Sequence, residues 1–225
     1  MNRLRQSLAS GRPVLAVNAG GVALPVIDMI ARGGADCLFI DCERTPISVD
    51  SVPMLARAAR AAGLSCVVRS ESAEAAILLR YLDCGIDGLV VPQVESAATC
   101  ERMGSVARIF GKGDRSGTFL IAQIESVAGR GELAAIAGHH DVDLVLIGPN
   151  DLAHSMGFSG DTTRPSLQEA VRDSAAQVSA LGKPFGLPVT TANAGDWIGR
   201  GARFLYTNLE QFLAPAIAEL KKVAA

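Results

Sequence analysis

The sequence predicts an α/β fold, a (β/α)8 TIM barrel forming a single domain over residues 1–225. Three observations carry that prediction: a repeated segment, eight short apolar runs, and helix-forming stretches between them. The repeat is the strongest of the three. Gly34-Ala-Asp36-Cys-Leu-Phe-Ile-Asp41 resembles Gly85-Ile-Asp87-Gly-Leu-Val-Val-Pro92. Both resemble Val142-Asp143-Leu-Val-Leu-Ile-Gly148 and, more loosely, Gly201-Ala-Arg203-Phe-Leu-Tyr-Thr207. Their polar residues stand at 36, 87, 143 and 203, so the spacings are 51, 56 and 60. Each interval is too long for one strand–helix unit and suits two.

A further strand is therefore expected within each period. Val14–Val17, Cys66–Val68, Phe119–Ile124 and Phe185–Val189 supply the candidates. All eight runs are short and continuously apolar or β-branched, the pattern of strands covered on both faces. Between them, Ser51–Ala62 opens with Ser and an early Pro and stops at Gly63. Ser166-Leu-Gln-Glu169 reads as a capping box, followed by a stripe of Val171, Val178 and Leu181. Leu209–Val223 aligns Phe212, Leu213, Ile217 and Leu220 on one helical face. The polar, Gly-rich Gly111–Gly117 reads as a surface loop before the fifth strand. An open doubly wound sheet is the competing architecture, but Gly20-Gly21 alone is too little for its dinucleotide-binding turn.

Composition narrows the partners. Apolar residues make up 49% of the 225 and charged residues 20%, which excludes a disordered chain. A net charge of −2 and 4% aromatics offer neither a field for a nucleic-acid backbone nor platforms for stacked bases. Apolar runs are too short and too interrupted to span a membrane, and the N-terminus lacks the apolar core of a signal peptide. Cysteines 37, 42, 66, 84 and 100 show no C-x-x-C spacing and read as reduced packing residues of a cytoplasmic protein.

In such a barrel, chemistry sits where strands end and βα loops begin. Asp41 and Glu43 follow the second strand, Arg69 ends the third, Gln123 and Glu125 end the fifth, and Gly148-Pro149-Asn150-Asp151 follows the sixth. Gln123 and Glu125 are two apart, so a strand aims both the same way. Glu125 and Asp151 form the best metal pair, with hard oxygens suited to Mg2+ or Mn2+ that leave positions for water and substrate. A 2-oxo acid fills two such positions, and the ion then stabilises the enolate of the neighbouring carbon. Arg69 suits a second positive group near the enolate oxygen, a role in which one donor is typically worth ~3–4 kcal/mol. The N–H groups after Pro149 suit the substrate carboxylate. Histidine gives no support for zinc: His139 and His140 are expected to be solvated at the far end of the barrel, and His154 to lie on the surface.

These segments resemble the metal-dependent (class II) pyruvate aldolases of the hydroxy-oxo-heptanedioate and dehydro-deoxy-glucarate aldolase family, which is related to citrate lyase β subunits. The likeness is densest in Leu38–Pro46, Val67–Arg69, Leu89–Pro92, Gln123–Glu125 and Ile147–Leu152. It implies Glu125 and Asp151 as ligands of a divalent cation (Mg2+ or Mn2+, with Co2+ as a substitute), Arg69 and Gln123 as pyruvate-site residues, and Asp41 as the acid of an Asp-x-Glu-His motif. It also implies a TIM barrel and a homo-oligomer, hexamer or trimer, with the C-terminal helix on a neighbouring subunit.

The chain departs from that pattern twice. The motif reads Asp41-Cys-Glu43-Arg44, so Arg44 replaces the histidine implicated in proton transfer, and the segment between the fourth and fifth strands is short. A positioned base contributes roughly 3–5 kcal/mol, whereas deprotonating arginine at neutral pH costs about 7 kcal/mol. Arg44 therefore stays cationic and binds an anion or pairs with Asp41 or Glu43. The expectation is a lyase cleaving 2-oxo acids through a metal-bound pyruvate enolate, by retro-aldol cleavage or oxaloacetate-type decarboxylation, with Asp41, Arg44 and Arg69 as catalytic residues. Gln123, Arg69, Gly148, Pro149 and Asn150 are the expected substrate contacts. The alternative is a catalytically weakened barrel that binds a 2-oxo acid as a sensor or assembly partner.

Overall fold

The computed structural model describes residues 2–223. The apolar runs fold into β1 (Val14–Asn18), β2 (Cys37–Asp41), β3 (Ser65–Arg69), β4 (Gly88–Val91), β5 (Phe119–Ile124), β6 (Leu144–Ile147), β7 (Phe185–Pro188) and β8 (Phe204–Asn208). Each pairs in parallel with its sequence neighbours, and β8 returns to β1, so the sheet closes. An open sheet is excluded. No helix among the described residues is long and apolar enough to cross a membrane.

The repeated aspartates have a structural purpose. Asp36, Asp87 and Asp143 each stand just before an even-numbered strand and accept a hydrogen bond from the preceding odd one. Asp36 takes the N–H of Leu15 at 2.9 Å, Asp87 that of Cys66 at 2.8 Å, and Asp143 that of Leu120 at 2.8 Å. Arg203, at the fourth repeat, cannot accept, which is why that copy is the loosest.

Closure sorts the strands into two phases. Val14, Ala16, Cys37, Phe39, Val67, Val90, Phe119, Ile121, Leu144, Leu146, Phe204 and Tyr206 pack inside the ring, where Leu4 joins them. The intervening residues, such as Leu38, Val68, Leu120 and Val145, face the helices. Two glycines make room for bulk inside the ring. Gly88 is paired across from Phe119 and Gly186 from Phe204. A Cβ on Gly186 would lie 2.3 Å from the Phe204 carbonyl oxygen.

The helix over Ser51–Ala62 forms as a 3-10 turn, Val49–Ser51, running into α3 (Val52–Ala61). The proposed capping box does not form. Helix α9 (Pro165–Ala180) begins one residue earlier, with Pro165 in its first turn and no side-chain cap. Proline's preset φ starts this helix instead, and Ser166 is already inside it. Val171 and Val178 are buried as expected, but Leu181 is exposed at the C-cap. The C-terminal helix α11 (Glu210–Val223) has no buried residue, so Phe212, Leu213, Ile217 and Leu220 remain exposed on the protomer. The five cysteines are free, and all but Cys84 are buried.

Gly186→Ala should destabilise the fold by about 2–3 kcal/mol, since the added methyl meets rigid backbone. Gly195→Ala, with nothing within 4 Å of its Cβ position, should be neutral or stabilising by up to ~1 kcal/mol. Urea denaturation of both variants checks the pair.

Candidate active site

The inward phase of the strands, continued by one step, supplies the mouth of the barrel. Asn18, Asp41, Arg69, Gln123 and Asn208 are the last or nearly last residues of their strands, and Glu125 follows Gln123 in the same phase. They line one cavity of ≈ 1050 Å³ with Arg44, Gly148, Pro149, Asn150 and Asp151. Glu43 lies beneath this surface, behind Arg69.

Register places the first charge pair. Asp41 and Arg69 are direct cross-strand partners in β2 and β3. Arg69 donates from Nε to Asp41 Oδ1 at 2.9 Å and from Nη2 to Oδ2 at 2.6 Å. Its Nη1 lies 3.1 Å from Glu43 Oε2. Asp41 also accepts the backbone N–H groups of Glu43 and Arg44, both at 3.2 Å. Although burial alone would lower the Arg69 pKa, bonding to Asp41 and the charges of Asp41 and Glu43 hold it above the usual arginine value. Of its five N–H donors, two are hydrogen-bonded to Asp41, while Glu43 Oε2 is buried without a hydrogen bond and is tied to Arg69 by charge alone.

The second cluster centres on Glu125, which is buried. Gln123 Nε2 donates to its Oε2, and the backbone N–H of Gln93 donates to its Oε1 at 2.8 Å. Gln93 reaches it because its backbone is left-handed, φ 50°. Burial pushes the Glu125 carboxyl up to about 7, against the pull of those two hydrogen bonds and with added repulsion from Glu43 and Asp151. Gly148 is required beside it, since a Cβ there would sit 2.8 Å from Glu125 Oε2.

Asp151 lies in the first turn of α8 (Pro149–Ser155), whose N-cap is Gly148. Its carboxylate pairs with Arg44. The expected pairing of Arg44 with Asp41 or Glu43 is therefore corrected: Asp41 and Glu43 are already engaged by Arg69, so the longer reach across the mouth to Asp151 wins. Arg44's cation is held above its ordinary pKa by that bond. Asn150 is exposed at the rim.

His140 is exposed, but His139 is largely buried and stacks on it at 4.7 Å between centroids, so the expectation that both are solvated fails for His139. Asp141 beside them is taken by Arg108 and Arg115, at 2.8 and 2.9 Å. Residues not anticipated from the sequence line the opposite side of the cavity: Asn18, Tyr206 and Asn208. Their signal was the same alternation that aims Asp41 and Arg69 inward.

The sequence pattern defining the HpcH/HpaI aldolase/citrate lyase family matches residues 20–207. The chain belongs to that family. The chain is similar to a hydroxypyruvate/pyruvate aldolase of Pseudomonas aeruginosa, 29% identical over 83% of this chain and 78% of the relative. A 5-keto-4-deoxy-D-glucarate aldolase of Shigella boydii is 30% identical over 79% of this chain and 78% of that protein. An HpcH/HpaI aldolase/citrate lyase family protein of Burkholderia cenocepacia superposes over the full length of both chains, with a TM-score of 0.90 and 26% identity. The family is one of aldolases and lyases acting on 2-oxo acids, and the resemblance seen in the sequence stands.

Glu125 gives a pH-dependent test. Because its folded pKa exceeds the unfolded value near 4.3, its ionisation opposes folding; the cost is absent below about pH 4 and grows until pH passes 7. In chelator-treated protein, Glu125→Gln should gain about 2–3 kcal/mol of stability at pH 8, and that gain should shrink toward zero near pH 4.5. Denaturant titrations at the two pH values decide it; an equal gain at both would refute the assignment.

Proposed function

We propose that this chain is a divalent-cation-dependent lyase that makes or breaks a carbon–carbon bond next to the methyl carbon of pyruvate. The observation that carries the reading is the pair of unlike clusters facing one cavity: a cation fixed between acids at Arg69, and acids gathered at Glu125 and Asp151.

The residues fit a hard divalent ion. Glu125 is held near neutrality partly by the charges of Glu43 and Asp151. Gln123 Oε1 is buried without a hydrogen-bond partner, a further oxygen in need of a cation or donor. Glu125 and Asp151 would hold Mg2+ or Mn2+, with Co2+ a functional substitute. When bound, the ion supplies Lewis-acid polarisation of the 2-oxo group.

The chain's own residues do the rest. Arg69 offers N–H groups not bonded to Asp41 to the oxygen on which negative charge collects, and the two hydrogen bonds to Asp41 with the charge of Glu43 keep that guanidinium from turning away. The backbone of Gly148–Asn150, kept close by the missing side chain at 148, is the edge that suits the substrate carboxylate. Decarboxylation of an oxaloacetate-like acid fits this set directly. The bond to the departing carboxylate breaks as CO2 leaves, its electron pair stays as the enolate, and water protonates the enolate carbon to give pyruvate, with no hydroxyl proton to be removed. Arg44 cannot serve as a base, and its guanidinium is suited to a carboxylate on the substrate's far end once Asp151 is otherwise engaged. The alternative of a barrel that only binds is not favoured, because the relatives of this chain are named as aldolases.

The exposed apolar face of α11, with Phe212, Leu213, Ile217 and Leu220, supports a homo-oligomer of the kind the family resemblance implies. A cytoplasmic location also rests on that resemblance and on the cysteine pattern.

Stripping divalent ions should reduce pyruvate release from oxaloacetate or a 4-hydroxy-2-oxo acid at least 100-fold, and Mg2+ or Mn2+ should restore it. Full activity in chelator would overturn the reading, and light scattering on the same sample reports the oligomer. Because the Arg44–Asp151 pair is half-exposed, it is worth no more than about 1 kcal/mol. Arg44→Met should therefore tighten Mn2+ binding by no more than about fivefold, read by calorimetry.

A further inference from the structure

On the β1–β8 side of the mouth, three uncharged groups form a hydrogen-bonded chain, with Glu210 further along the rim. Tyr206 Oη accepts from Asn18 Nδ2 at 3.3 Å and donates to Asn208 Oδ1 at 2.8 Å. Asn18 Oδ1 is occupied by the N–H of Gly20 at 2.8 Å. The Tyr206 ring packs on Phe39 at 4.4 Å between centroids, so the hydroxyl is held from below and from both sides. The residue is 9% exposed and borders the cavity, with the charges of Arg69 and Asp41 near enough to act on the hydroxyl.

Aldol chemistry in this cavity needs a proton, and most of the groups around Arg69 and Glu125 are not free to supply one. Asp41 is an acceptor spoken for by Arg69, and Arg44 and Arg69 are permanent cations. Glu125 and Asp151 are committed to the cation in the reading above. His154 and Glu210 also line the cavity, but both are exposed at its rim and neither joins the hydrogen-bonded chain at Tyr206. A tyrosine hydroxyl has one proton on a rotor and two lone pairs, so it can turn from Asn208 to a substrate oxygen without moving its ring. Burial keeps that hydroxyl protonated above the ordinary tyrosine range, while the Asn18 hydrogen bond and the Arg69 charge favour the anion left after transfer.

We propose that Tyr206 is the proton donor to the alkoxide formed when a pyruvate enolate adds to an aldehyde, in the place left by the absent histidine. In the forward direction the enolate pair forms the carbon–carbon bond and the carbonyl π pair moves onto the aldehyde oxygen. That oxygen takes the Tyr206 proton, and water at the open mouth returns a proton to the tyrosinate. In cleavage the Tyr206 proton first passes to water at the open mouth. The tyrosinate then accepts the hydroxyl proton, the O–H pair becomes the new C=O bond, the carbon–carbon pair returns to the enolate, and water protonates the enolate carbon to give pyruvate. Asn18 and Asn208 are positioning residues that aim the hydroxyl. The assignment rests on the lyase reading above, but decarboxylation has no such hydroxyl and does not need Tyr206.

The test compares pyruvate release from a 4-hydroxy-2-oxo acid and from oxaloacetate, with Mn2+ present, in wild type, Tyr206→Phe and Asn208→Ala. Tyr206→Phe should lower kcat for the hydroxy acid about 100-fold or more, with KM within about threefold and decarboxylation within about threefold. Asn208→Ala, which removes one neutral hydrogen bond, should lower only the aldol reaction, by about 2–10-fold. Aldol cleavage retained in Tyr206→Phe would overturn the proposal. So would an equal fall in both reactions, which would mark Tyr206 as a support for pyruvate binding alone. Wild-type protein that releases pyruvate from neither substrate would overturn the lyase reading, and the role of Tyr206 with it.

Discussion

Closing eight parallel strands into a ring leaves alternate side chains facing inward, and everything functional in this protein follows from that constraint. The lower inward positions must be apolar and matched in volume, as the Gly88–Phe119 and Gly186–Phe204 pairs show. The next inward position on each strand meets solvent at the mouth. Polar groups placed there are brought together from strands far apart in sequence, on a frame whose helices hold the backbone still.

That frame makes an otherwise unfavourable arrangement tolerable. Arg69, Asp41 and Glu43 are buried together, and removing one member of such a set leaves an uncompensated charge costing roughly 3–5 kcal/mol. Glu125 is buried without any cation bonded to it, held only by the amide of Gln123 and the backbone of Gln93. A fold optimised for stability alone would not keep that carboxyl near neutrality. In the proposed reading, this carboxyl and Asp151 are the pair that a positive ligand would meet.

The two halves of the mouth divide the chemistry. Arg69, Asp41, Glu125 and Asp151 put charge on the β2, β3, β5 and β6 side, the half to which the proposed reading gives the anionic intermediate. The neutral chain of Asn18, Tyr206 and Asn208 lies on the β1–β8 side, where it offers hydrogen bonds to a second fragment. Arg44 joins the charged half and pairs with Asp151, so the exchange of histidine for arginine changes the electrostatics at the mouth and leaves no proton acceptor in its place.

The sequence by itself determined the strand count, the barrel and the inward phase of Asp41, Arg69, Gln123 and Glu125, because short apolar runs and two-residue alternation are local properties. Even the aspartates that marked the repeat proved local, each bonding the strand before its own. Partner choice was not local. That Arg44 reaches Asp151, that Gln93 turns left-handed to meet Glu125, and that Tyr206 joins Asn18 across the β1–β8 seam all depend on where ring closure sets loops and termini against one another. Those contacts join residues up to 188 positions apart, so only the closed barrel decides them.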